Sequence, residues 1–207
     1  MLTQKKQPKK NSSGLPVSGF RKLRSFIKFH TTDKNNYKKD ILKYLRIGKV
    51  VLIDLSQGDE ELQHLYSEAL CIHIFNDAIL KFTKNKNNNY IQFYFEEAHN
   101  LFPKKDTKDL TQVYNRIAKE GAKLHLGLIY ATQEVSSISS NILKNTENWF
   151  ISHLNNTEEL REIKKFDDFE DVADSLKRFS PKDKGFVRMK LISSPYVIPV
   201  QIDKFGE

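Results

Sequence analysis

Four short apolar runs, set apart by helical patterns, constrain this chain more than any other feature. VVLIDLS at 50–56, YIQFYF at 90–95, LGLIYA at 126–131 and WFISHL at 149–154 are dominated by branched and aromatic side chains. Between the first two, Leu62, Leu65, Tyr66, Ala69, Leu70, His73, Ile74, Ala78 and Phe82 recur at three and four residues, which predicts a helix over about 59–84. A second helix is predicted over about 107–119, ending at Gly121. Strands alternating with helices read as βαβ units of an open α/β sheet. The near-continuous apolar run at 50–56 predicts a strand covered on both faces by helices. In such sheets ligands sit beyond the carboxyl ends of the strands. Further along, helical stretches are predicted at 158–165 and 169–179, and Gly185 opens a hairpin of 186–192 and 196–202.

Charge is distributed unevenly. The chain has 207 residues and a formal charge of +8, yet residues 1–49 carry 14 Lys and Arg against 2 Asp, a net of +12, so residues 50–207 carry −4. Residues 1–19 are polar and broken by Gly and Pro, and are expected to be a disordered basic tail. Residues 20–49 are expected to be a basic helical segment: Phe20, Leu23, Phe26 and Ile27 alternate at helical spacing with Arg21, Lys22, Arg24 and Lys28, and a second pattern runs from 36 to 46. Clustered cations of this kind release counterions when they meet a phosphate backbone, so Arg21, Lys22, Arg24 and Lys28 are candidate nucleic-acid contacts; the alternative is a solubilising tail. A single cysteine, Cys71, excludes an internal disulfide and fits a reducing, cytoplasmic compartment. No apolar run reaches the length of a transmembrane helix, so no membrane partner is expected. The six histidines show no zinc spacing. Asn85 to Asn89 reads as a surface loop tolerant of change, and Cys71 as a buried small hydrophobe.

The sharpest local feature is YIQFYFEEAHN at 90–100, an apolar strand ending in two adjacent acids. Charge at that edge suits chemistry in which one carboxylate supports a metal ion and its neighbour prepares a water. Acids in the first turn of a helix give the same pattern. Trp149, Phe150 and Ile151 are expected to pack a strand, with Phe150 on the opposite face from the other two.

FYFEEAHNLFP at 93–103 resembles the Walker B segment of HerA-like ATPases, in the HerA/FtsK branch of P-loop translocases. The likeness continues through RIAKEGAKLHLGLIYATQ at 116–133 and ILKNTENWFISHLNN at 142–156, and upstream through GKVVLIDLSQGDEELQHLYSEAL at 48–70. Four blocks in the family's order lie within 48–156, and the domain they imply, 50–207, covers about three quarters of the chain. The resemblance implies a partial RecA-like sheet covered by helices over 50–207, with a basic N-terminal arm and a C-terminal β-hairpin. It implies that Glu96 supports Mg²⁺, that Glu97 polarises the attacking water, and that Gln133 senses the γ-phosphate of ATP with Thr132 beside it. Arg116 is the candidate for a basic residue reaching a neighbouring subunit's nucleotide; a solvated helix face is the alternative. His99 is expected in a packing or supporting role. Where the family often has Arg after ATQ, Glu134 stands here, which weakens any basic contact at that point.

A P-loop also needs a glycine-rich turn followed by Lys and Ser or Thr. None of the eight glycines begins a GxxxxGK[ST] run, and the Gly48–Lys49 pair precedes a strand pattern instead of opening a helix. The water-activating half of the site is present and the phosphate-cradling half, Walker A, is lacking. The expectation is a C-terminal portion, split-gene product or degenerate subunit of an ATP-dependent DNA translocase, inactive alone. Intact relatives imply a hexameric ring on double-stranded DNA, working with a nuclease or a phage-defence effector. The competing expectation is a non-catalytic DNA-binding or assembly factor.

Overall fold

The computed structural model describes residues 36–55, 60–104, 112–154, 156–165, 169–178 and 184–206. The tail, the segment 20–28 and the candidate contacts Arg21, Lys22, Arg24 and Lys28 lie outside the described residues. The chain divides into two units, Met1–Asp40 and Ile41–Glu207. All the elements needed below belong to the second, apart from the first turn of helix α1, Tyr37–Arg46.

Helix α2, Glu60–Thr83, runs at the length its apolar spacing predicts and buries Leu70, Cys71, Ile74, Phe75 and Ala78. Strand β1, Ile91–Phe95, pairs in parallel with β2, Leu126–Tyr130, in the register Ile91 to Leu126 through Phe95 to Tyr130. Helix α3, Gln112–Glu120, makes the crossover between them. Gly121 ends that crossover where nothing larger fits. A Cβ there would lie 2.3 Å from the Ile117 carbonyl oxygen and 2.6 Å from that of Leu126. Ile91, Phe93, Leu126 and Leu128 turn one face of the pair towards α2 and α3 in a single apolar core. Phe95 and Phe102 complete it, packing edge-on and tilted against Tyr114. Gln92, Tyr94 and Ile129 alternate to the other, exposed face.

After β2 come α4, Ser140–Lys144, and β3, Trp149–Ile151. Helices α5, Thr157–Ile163, and α6, Glu170–Arg178, precede the hairpin of β4, Phe186–Lys190, and β5, Val197–Gln201. The hairpin forms as its sequence predicts, and β3 adds to it antiparallel to give the order β3-β4-β5. Trp149 and Ile151 are buried and Phe150 exposed, the expected alternation.

Three expectations need correction. Residues 50–55 form no strand: among the described residues no ladder joins them to another segment, and Val50 and Leu52 are 90% and 92% exposed. The expected covering on both faces is therefore missing there. Secondly, β3 is hydrogen-bonded to β4 and not to β2, so among the described residues the parallel series has two strands. Thirdly, the asparagine tract is not indifferent. Asn88 is 8% exposed and donates to the Leu124 carbonyl, and Asn89 accepts from Arg46 at 2.8 Å and donates to the Leu45 carbonyl. These amides tie the start of β1 to α1 and to the turn before β2, which an interchangeable surface loop would not do.

Candidate active site

β1 and β2 end side by side because they are parallel and in register. Their carboxyl ends carry Glu96 and Glu97 on one strand and Thr132 and Gln133 on the other. At Glu97 the backbone turns into the left-handed region, φ 46° and ψ 50°, a conformation that costs a residue with a Cβ about 1–2 kcal/mol. A ladder extension holds the turn in place: Ala131 N–H donates to the Phe95 carbonyl and Ala98 N–H to the Ala131 carbonyl, both at 2.9 Å. The short 3₁₀ turn Ala98–Asn100 follows. The first turn of a helix, the alternative reading of the acid pair, is thus offset by one residue, and Glu97 stands at its entrance.

Gln133 Nε2 donates to Glu97 Oε1 at 2.8 Å. The other carboxylate oxygen, Oε2, is buried and lies 3.5 Å from His99 Nδ1, with no hydrogen-bond partner. The same His99 nitrogen is 3.2 Å from Thr132 Oγ1, which also accepts from the Glu134 N–H. Glu97, His99, Thr132 and Gln133 therefore form one polar cluster across the two strand ends. A carboxylate with one oxygen engaged and the other unsatisfied can take a proton or polarise a water. Gln133 has a second N–H to offer a neighbouring oxygen.

Glu96 faces the other way. Its Oε1 accepts from the Tyr94 hydroxyl at 2.7 Å on the exposed face of the pair, and that hydrogen bond, more than burial, pushes the Tyr94 phenol above its usual range. Arg116 stands outside the cluster. Its guanidinium stacks over the Phe75 ring at 4.4 Å and approaches Glu120 at 3.8 Å. Glu134, where a basic residue was the family expectation, accepts from Ser137 Oγ.

Sequence reading overlooked Glu159. It is 6% exposed on α5, and its carboxylate accepts from both the N–H and the hydroxyl of Ser136, holding the 3₁₀ turn Val135–Ser137 that follows Gln133. An acid in the first turn of a helix gives no sign of such burial. The Tyr94 contact was more accessible, since residues i and i+2 of a strand share a face. Cys71 is buried as expected, and burial pushes its thiol up to about 12. Among the described residues no group of three or more His, Cys, Asp or Glu forms a metal cage, and no helix is long and apolar enough to cross a membrane.

The arrangement has the fold of P-loop packaging NTPases. The genome packaging NTPase of Sulfolobus turreted icosahedral virus 2 superposes in its sulfate complex with a TM-score of 0.56, at 16% identity over 86% of this chain and 76% of that one. Its complex with ATP-gammaS gives a TM-score of 0.52, at 18% identity over 84% and 74%. No protein-family model matches the chain. Among curated proteins it is similar to the DNA double-strand break repair helicase HerA of Sulfurisphaera tokodaii, 30% identical over 175 residues, and of Sulfolobus acidocaldarius, 29% identical over 175; each match covers 80% of this chain and 34% of the relative. HerA of Saccharolobus solfataricus is 28% identical over 98% of this chain and 40% of its own length. The chain belongs with the HerA-like P-loop ATPases, and spans between a third and two fifths of the length of these relatives.

Proposed function

We propose that this chain supplies the water-activating half of a HerA-like, ATP-dependent DNA translocase. The hydrogen bond between Gln133 and Glu97 at the paired strand ends carries the reading. Glu97 is the general base: its carboxylate, held through Oε1 by Gln133, would take the proton of the attacking water. Gln133 is the sensor, holding Glu97 with one N–H and offering the other to the γ-phosphate or to that water. Thr132 and His99 fix the position of the pair.

Mg²⁺ in nucleotide sites takes one or two carboxylates and completes its shell with phosphate oxygens and water. The donor set here suits that pattern and no all-protein cage. Glu96 would hold the ion with its carboxylate turned from the Tyr94 phenol towards the strand ends, and the ion when bound would neutralise charge on the phosphates. Arg116, tied to its own α3 and to Phe75 of α2, would act on a neighbouring subunit's nucleotide, in a ring of identical or different subunits. The phosphate cradle would come from another segment or subunit, because the sequence contains no GxxxxGK[ST] run. Double-stranded DNA is the proposed substrate, the cytoplasm the proposed location, and a nuclease or defence effector the proposed associate.

The test is ATP turnover by the chain alone, and mixed with duplex DNA and a HerA-like subunit carrying an intact P-loop. Expected are no turnover by the chain alone above a Glu97→Gln control, and turnover in the mixture that Glu97→Gln lowers by about a hundredfold or more. Equal turnover with Glu97→Gln in the mixture would overturn the assignment of the base. Turnover by the chain alone would overturn the division of the site between two parts.

A further inference from the structure

The opposite end of the same strand pair carries a different chemistry. Tyr90 and His125 immediately precede β1 and β2, so they lie at the amino ends, about 20 Å from the Glu97 cluster at the usual rise per residue. There Phe82, Asn85, Lys86, Asn87, Asn88, Lys123 and His125 line an open cleft of about 280 Å³. No acid lines it, and neither Lys86 nor Lys123 forms an ion pair among the described residues. Residues 81–90 hold three lysines and no acid, in a body whose net charge from 50 onward is −4. The Tyr90 ring, 80% exposed, stacks on His125 at 4.4 Å and 16°. His125 Nδ1 donates to the Asn88 backbone oxygen, leaving Nε2 as the ring's remaining polar atom. Asn88 donates to Leu124, but its Oδ1 is buried without a partner, an orphan acceptor of the kind that a ligand or ordered water satisfies.

We infer that this cleft is a nucleic-acid contact: Lys86 and Lys123 take backbone phosphates, and the exposed Tyr90–His125 stack offers a face to a base or sugar. Unpaired cations beside an exposed aromatic face are the elements of a strand-tracking groove. The shared chemistry is the phosphodiester backbone, from either a single strand or a duplex. The inference takes its ligand class from the DNA-handling reading, but its readout is binding and not turnover, so the strand-end chemistry can fail without it.

Labelled single-stranded and duplex DNA would be titrated into the full chain across a salt series, in the native sequence and with Arg21, Lys22, Arg24 and Lys28 all changed to Glu. In both backgrounds Lys86→Glu with Lys123→Glu is expected to weaken binding at least tenfold and to reduce the slope of log affinity against log salt by about 2. Lys86→Gln with Lys123→Gln, a milder change at two exposed positions, is expected to reduce the slope equally. Tyr90→Ala tests the stack: a loss on the order of tenfold on the single strand alone identifies an unstacked base, a similar loss on both identifies a sugar contact in duplex as well, and an unchanged affinity on both would overturn the part assigned to the stack. Unchanged affinity and slope in both lysine pairs would overturn the inference.

Discussion

Residues 50–55 and 91–95 are almost equally apolar, yet only the second run is a strand. Only the second alternates cleanly: Ile91 and Phe93 are buried while Gln92 and Tyr94 are exposed, whereas in the first Val51 and Leu55 are half-buried and Val50, Leu52 and Ile53 are all exposed. The difference lies in what stands beside them. β1 has β2 in register along five residues and the aromatic cluster of Phe102 and Tyr114 beneath its end. The earlier run has no ladder partner among the described residues. An apolar run is a candidate strand; hydrogen-bond partners and a face to bury make it one.

If burial and pairing make that difference, the largest effect should come from emptying the buried side of β1. Phe93→Ala removes a ring from the shared core and is expected to destabilise the chain by about 3–5 kcal/mol, read as a fall in the midpoint of urea unfolding. A loss below about 1 kcal/mol would mean that β1 is no better packed than the run at 50–55, and the comparison would break.

A middle-sized effect is expected at Arg46, which stands close before the run at 50–55 and reaches across to the start of β1. Its guanidinium donates to Asp77 Oδ2 at 2.6 and 3.1 Å, and to both the side-chain and backbone oxygens of Asn89, the residue before Tyr90. Only 12% of its side chain is exposed. Arg46→Met keeps much of the apolar stem and leaves Asp77 and Asn89 without that donor, for an expected loss of about 2 kcal/mol. Faster hydrogen exchange should follow at the amides that begin β1, with little change beyond β2. A uniform change throughout the molecule would show that Arg46 does not act locally on the start of β1.

How much of this was legible beforehand follows the same physical division. The periods of α2, β1, β2 and the hairpin are local properties, written in residues that recur every three, four or two positions, and the structure has them nearly where the spacing places them. The pairing of Glu97 with Gln133 was reachable only through the resemblance, since 36 residues separate them and no spacing rule joins them. Left-handed backbone at Glu97 and burial of Glu159 were not legible at all. Each is imposed by neighbours distant in sequence, the first by the ladder extension to Ala131 and the second by Ser136. The asparagines misled for a related reason. Composition marks Asn85 to Asn89 as a loop, but cannot say that two of its amides bond to backbone oxygens of other segments.

The smallest effect is expected where the two runs differ most. Leu52 is 92% exposed, so exchanging it for lysine removes almost no apolar contact from the folded chain and places the ammonium in water. Leu52→Lys should leave the unfolding midpoint within about 0.5 kcal/mol of the native chain, as for surface substitutions without partners. Together with Phe93→Ala it sets a wide interval between two strand-like runs of one sequence. A loss above 1 kcal/mol would mean that residues 50–55 bury their outer side in solution against a surface, and the contrast with β1 would then be one of degree. A value near zero would mean that the apolar character of Val50 and Leu52 stabilises nothing within this fold.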